Sequence, residues 1–287
     1  MYFIGVDLAF SSRNDTGVVV LEGALESDFT GLRYIGAGLF KQDDEIADFI
    51  LPYLRTGECL LAIDAPLIVN NDFGMRTCER LVAKAFGHRN CAAYPSNRNN
   101  MAGTRGPQFI RYLLTQGVPI KLDIPTLPMR CGAVHAFETY PHAGHLALFD
   151  LPTVWKYKKK SGRSWDLCRS EMVNYWRKLW DLMPSVMDGI LACAHMGDPL
   201  GAHLVDWLSV IRAAGPLPEV RGVRYKAFED LTDALFCAYS AAHIAMGAPR
   251  LLFCGANQDA PCDGHAEMVQ DYILVPASSA RSHQSSQ

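Results

Sequence analysis

Five carboxylates carry the chemistry this chain could do. Asp7 lies in the apolar run YFIGVDLA, Asp64 ends CLLAIDAPLIV, and Glu138 sits in AVHAFETYP. Asp230 and Asp233 are one helical turn apart in FEDLTDALFCAYSAAHIAMG. A carboxylate set in an apolar strand costs several kcal/mol (about 2–7 by transfer) unless it is paired or neutralised. If these acids converge, their repulsion calls for cations. Hard divalent ions prefer oxygen ligands, and Mg²⁺ suits carboxylates and waters. Two such ions about 3.5–4 Å apart can clamp the attacking and leaving oxygens of a phosphodiester. The plainer alternative is that each acid pairs with a nearby arginine or meets solvent at a strand end.

Basic residues that could meet a phosphate follow Asp64: Arg76, Arg80, Arg89, Arg98, Arg105 and Arg111. Guanidinium suits bidentate phosphate recognition, although surface charge and internal pairing explain such arginines about as well. The densest basic run is Lys156, Lys158, Lys159, Lys160 and Arg163, in a segment that reads as a solvated loop. His142 and His145 stand three apart, and His135 or His142 is a candidate general base. No thiolate pair accompanies them to make a zinc site. The sequence contains no G-x-S-x-G, GxGxxG or GxxxxGK[ST], so a serine hydrolase, a Rossmann site and a P-loop lack support.

The elements that must position these groups follow from periodicity. Residues 2–9, 16–22 and 31–40 read as three strands of an antiparallel meander. In DDEIADFILPYL, Ile46, Phe49, Ile50, Tyr53 and Leu54 form one helical face behind a first turn rich in acids. Residues 59–69 give a fourth strand buried on both faces, ending before Pro66. CERLVAKAF is a short helix, YPSNRNNMAGTRGP an irregular loop, and QFIRYLLTQG a helix closed by Gly117. A fifth strand covers 133–141, helical periodicity runs over 166–212, and a long Ala-rich helix covers 228–247. RLLFC and DYILVP are short final strands. This order implies a mixed-sheet α/β domain.

An Asp on strand one, an acid on strand four and D-x-x-D-A-L on a late helix resemble the ribonuclease H fold, whose superfamily includes Holliday-junction resolvases. More closely, GVDLAFSSRNDTGVVV, AIDAPLIV, MRTCERL, FETYP, KYKKK and DLTDALFCAYSA resemble the family called domain of unknown function 429 (DUF429), predicted ribonuclease H-like nucleases. The resemblance touches most of residues 1–275. It implies an α/β, ribonuclease H-like mixed five-stranded sheet flanked by helices, with a helical insertion over about 150–225 and a short C-terminal β extension. It also implies an acidic, metal-dependent site. Asp7, Asp64, Glu138 and Asp233 occupy the matching catalytic positions, and Asp230 joins them as a metal ligand. Arg76 and Arg80, with Lys156 and Lys158 of the YK-type segment, are the phosphate contacts expected here.

Composition bounds the rest. The 287 residues are 49% hydrophobic and 20% charged, which suits a single folded domain over 1–277 and a disordered tail over 278–287. A net charge of −3 offers no field for wrapping long nucleic acid and favours a short or structured substrate. Nine cysteines without a CxxC read as reduced thiols of a cytoplasmic protein. No signal peptide or membrane span is expected; a homodimer is compatible with the sequence. The leading expectation is a Mg²⁺- or Mn²⁺-dependent phosphodiesterase acting on nucleic acid. An actin-like nucleotide-dependent phosphotransferase would need a second Gly-rich phosphate loop, which is not evident. A non-catalytic binding protein on the same scaffold would be expected to have lost a carboxylate.

Overall fold

The computed structural model describes residues 1–11, 13–25, 29–125, 133–213, 215–254 and 270–279. Most of the expected tail, with Cys131 and Cys262, lies outside them. Strands β1 (Tyr2–Asp7), β2 (Thr16–Glu22) and β3 (Arg33–Phe40) form the antiparallel meander. Helix α1 (Asp43–Leu54) leads to β4 (Glu58–Ile63), which pairs parallel with β1. Helices α2 (Thr77–Phe86) and α3 (Met101–Thr115) precede β5 (Ile120–Lys121) and β6 (Ala133–Glu138). The mixed sheet has six strands in the order β3-β2-β1-β4-β6-β5, one more than the sequence suggested. The additional member, β5, is two residues long, too short for any periodicity to reveal.

Helices α4 (Pro141–Phe149), α5 (Trp165–Leu182), α6 (Pro184–Cys193), α7 (Pro199–Arg212) and α8 (Gly222–Ala245) follow. Strands β7 (Arg250–Cys254) and β8 (Tyr272–Pro276) form a separate antiparallel pair. Among the described residues, no helix is long and apolar enough to cross a membrane.

Two local expectations change. Residues 101–107 are not loop but the start of α3, capped by Asn100, whose side-chain oxygen accepts from Gly103 N at 2.8 Å. The glycines there serve close packing. A Cβ on Gly106 would lie 2.0 Å from the Pro66 carbonyl oxygen. The expected strand 133–141 stops at Glu138, and Pro141 opens α4 at a first-turn position where its missing N–H costs nothing.

Alternation along the strands builds two cores. Phe3, Leu60, Ala62 and Phe137 face α8 and the helices α5–α7. Ile4, Val6, Ile63 and Ala136 face α1 and α3. Helix α8 lies directly on β1 and β2. A Cβ on Gly5 would fall 2.0 Å from Ala234 O and 2.2 Å from Ala238 N, and one on Gly17 would fall 2.4 Å from Asp230 O. Backbone sits on the other side of each contact, so neither glycine has a flexible neighbour to displace. Gly5→Ala is therefore expected to cost at least about 1–3 kcal/mol by overpacking, read as a lower urea midpoint. An unchanged midpoint would show that α8 yields freely.

Candidate active site at the carboxyl edge of the sheet

Parallel strands β1, β4 and β6 all end at one edge, and the cleft outside such an edge is where open α/β sheets bind ligands. A cavity of about 530 Å³ opens there. Asp7 closes β1, and Asp64 follows β4, its N–H donating to Val6 O at 2.9 Å. The two acids thus occupy adjacent positions on neighbouring strands, and both line the cavity with Asp230 of α8. The glycine contacts that lay α8 on β1 and β2 bring Asp230 there.

Electrostatics follow from this crowding. Burial and Asp233 push the Asp7 carboxyl above its ordinary value, against the pull of Lys158 and Lys226. Burial, Asp7, Asp233 and Glu138 push Asp64 well up. Burial, Asp7 and Glu229 raise Asp230 to about 8, although Lys226 opposes them. Lys226 reaches both Glu229, at 2.8 Å, and Asp230. It was not foreseen from the sequence, although its spacing to both acids on one helix could have found it.

The other two acids are already held by basic or hydroxyl groups, although Glu138 lines the same cavity. Glu138 is held by Arg76, with Nη1 donating to Oε2 at 2.7 Å and Nη2 to Oε1 at 2.5 Å, while Leu67 N–H donates to Oε2 at 3.2 Å. The cause is the pleat. Val6, Ile63 and Glu138 share one register line, whereas Asp7 and Asp64 lie one residue further on. Alternation starts the Glu138 side chain on the opposite face from Asp7 and Asp64, yet at the strand ends it still lines the same cavity, together with Arg76 and Glu79. Asp233 is fully buried. Tyr157 Oη donates to its Oδ1 at 2.7 Å, and Lys158 Nζ lies 2.7 Å from its Oδ2. Asp233 does not line the cavity, whereas Asp230 does. The expected five-carboxylate metal set is therefore not assembled around one point. Among the described residues no three His, Cys, Asp or Glu side chains form a ready cation cage.

The basic residues divide in the same way. Arg76 lines the cavity, but it is buried and its guanidinium is taken up by protein partners. Besides Glu138, it binds Glu79 through Nε at 2.8 Å and Ile68 O through Nη1 at 3.1 Å. Burial alone would lower its pKa, but Glu138 and Glu79 hold it above the ordinary value. Arg80 is exposed and turned onto Met75 O and Thr77 Oγ1, outside the cavity lining. Arg105 grips Asp43, while Arg89 and Arg98 pair with Asp150 and Asp72. Lys156 is exposed and away from the cavity. Lys158 lines it, and burial, which would discharge the amine, is outweighed by Asp233, Asp7 and Asp64. Lys160 also lines the cavity.

His142 lines the wall, but burial and Lys158 lower its pKa to about 3, so it is a poor proton acceptor at neutral pH. His135 lies up strand β6 with Nδ1 3.2 Å from Asp123 and does not line the cavity.

The cavity is thus lined by the crowded carboxylates Asp7, Asp64 and Asp230, by the Arg76–Glu79–Glu138 cluster and by three lysines, Lys158, Lys160 and Lys226. Crowded carboxylates offer the oxygen donors that hard cations prefer. No curated protein and no solved structure matches the chain. A family model described as protein of unknown function (DUF429) matches residues 5–256, nearly the whole chain, and the chain belongs to that family.

Proposed function

We propose that the cleft is the active site of a Mg²⁺- or Mn²⁺-dependent phosphodiesterase acting on nucleic acid, on a ribonuclease H-like scaffold. The observation that carries this reading is the crowding of Asp7, Asp64 and Asp230, each pushed toward its protonated form, at one end of a cleft lined by Lys158 and Lys226. Three acids held against their own charge form a site that favours an added cation. Asp7, Asp64 and Asp230 would hold it. When bound, the ion would supply Lewis-acid neutralisation of a phosphoryl oxygen and activation of water. Lys158 is fixed by Asp233 and Lys226 by Glu229, so both charges stand in place before a phosphate arrives. Arg76, Glu79 and Glu138 brace the wall from below. The acid closing the first strand, the acid after the fourth and the acidic late helix support the ribonuclease H-like reading.

Thermal melting tests this. Mn²⁺ or Mg²⁺ is expected to raise the melting temperature of the wild type over that in EDTA, because an ion that binds only the native state stabilises it by mass action. Asp7→Asn is expected to be the more stable protein in EDTA, having lost one repelling charge. It should lose both the metal-dependent increment and hydrolysis of a phosphodiester. Metal-independent melting in both proteins would overturn the reading.

A further inference from the structure

Two exposed aromatic side chains of the cavity lining have no place in the chemistry above. Phe10, beyond the end of β1, is 40% exposed, and Tyr94, in the segment before α3, is 71% exposed. Exposed rings are common on protein surfaces, but these two line the same cavity as the carboxylates and lysines. Their backbones are held. Arg105, anchored by Asp43, donates from Nε to Ala9 O at 3.0 Å, next to Phe10. Beyond Tyr94, Asn71 Nδ2 donates to Ser96 O at 3.1 Å and to Phe73 O at 3.0 Å. That knot joins the Tyr94 segment to the loop carrying Phe73, itself 82% exposed. Rings on fixed backbone lose little freedom when something stacks on them.

The cavity volume of about 530 Å³ is in the range of small-molecule sites and suits a nucleotide unit. Cationic groups beside exposed rings are the combination that binds unpaired nucleotides: the charges take phosphate and the ring faces take bases without reading their sequence. A net charge of −3 gives no backbone-tracking field that would favour long duplex.

We infer that the cleft takes an unpaired nucleotide unit, with its phosphate toward Lys158 and Lys226 and its base stacked on Tyr94 or Phe10, so that the substrate class is single-stranded rather than duplex nucleic acid. This rests on the phosphodiesterase reading for the placement of the phosphate.

The test is equilibrium binding, by fluorescence anisotropy, of a labelled oligothymidylate, the same strand annealed to its complement, and an abasic strand of equal length, with Ca²⁺ in place of Mg²⁺. The wild type is expected to bind the single strand more tightly than the duplex or the abasic strand. In Tyr94→Ala the preference for thymidylate over abasic strand is expected to fall about tenfold, the effect of removing one stacked base, and Tyr94→Trp should retain it. Phe10→Ala is expected to act in the same direction. Equal weakening of thymidylate and abasic binding, or equal affinity for single strand and duplex, would overturn the inference. Metal-dependent melting that persists beside such a result would leave the phosphodiesterase reading standing. Free thymidine triphosphate competing as well as the oligonucleotide would overturn the strand as substrate in favour of a single nucleotide. Loss of metal dependence with stacking preserved would instead remove the hydrolytic reading alone.

Discussion

Arg76→Met is expected to destabilise the protein by about 3–5 kcal/mol, the usual cost of removing one partner from a buried ion pair. Arg76 and Glu138 are 2% and 6% exposed, and Glu79, also bound to Arg76, is 1% exposed. The substitution therefore strands two buried carboxylates. Burial already pushes Glu138 toward its protonated form, and the Arg76 guanidinium is the main force opposing this. Without Arg76, Glu138 must take up a proton or open the structure to water. Glu138→Gln in the Arg76→Met background removes one stranded charge and should recover part of the loss. Urea denaturation measures both. A midpoint within about 1 kcal/mol of wild type would mean that Arg76 is not a structural tie. It would return Arg76 to the role its sequence position first suggests, a phosphate contact.

The second large effect concerns pH. In EDTA, stability is expected to fall as pH rises from about 4 to about 8. The folded Asp230 carboxyl titrates at about 8 against an ordinary 3.8, and Asp7 and Asp64 shift the same way, burial being the first cause in each. Between those pH values the native state holds more protons than the unfolded chain, so the slope of unfolding free energy against pH is negative. The stabilising contribution is complete below about 3.8 and lost as pH passes the folded value. Burial raises Glu138 in the same direction, so it adds to the same slope. The informative quantity is therefore the difference between wild type and Asp230→Asn, in which this slope should shrink. At pH 8, saturating Mg²⁺ should restore stability, by about 2.7 kcal/mol at a hundred times its dissociation constant. For a protein of this size that is about 5–10 °C in melting temperature. A wild-type stability that rose with pH across this window would show that the three acids are not crowded in solution.

Arg76 and Asp230 also show where sequence reasoning ends. Glu138 and Arg76 were both legible as functional candidates from residue type and placement, yet they meet each other. A strand sequence shows that side chains alternate but not which residue of one strand lies beside which of the next. The register puts Glu138 beside Ile63 and Val6, one step before the Asp7–Asp64 line, and from there its carboxylate meets Arg76 while it still lines the cleft. The plainer alternative, that acids pair with nearby arginines, describes Glu138, while crowding describes Asp7, Asp64 and Asp230. The two acids of α8 were likewise recognisable as one turn apart. Which of them faces the cleft depends on how the helix is rotated on β1, fixed by its close approach at Gly5 and Gly17. Phe10 and Tyr94 carried no signal, because an aromatic residue in a loop reads the same whether it faces solvent or a cavity.

By itself the sequence determined the mixed α/β organisation, the meander, the placing of Asp7 in the first strand and of Asp64 at the end of the fourth, the long buried helix and the family. The elements and the acid positions follow from periodicity and from the cost of placing charge in apolar runs, and the family from the resemblance of its motifs; all of these are local. Only the tertiary structure decided which carboxylates share a cleft, which arginines are already used, and where Lys226 and the exposed rings stand. Those depend on register, helix rotation and backbone approach between segments that are mostly tens to hundreds of residues apart, and local sequence carries no record of them.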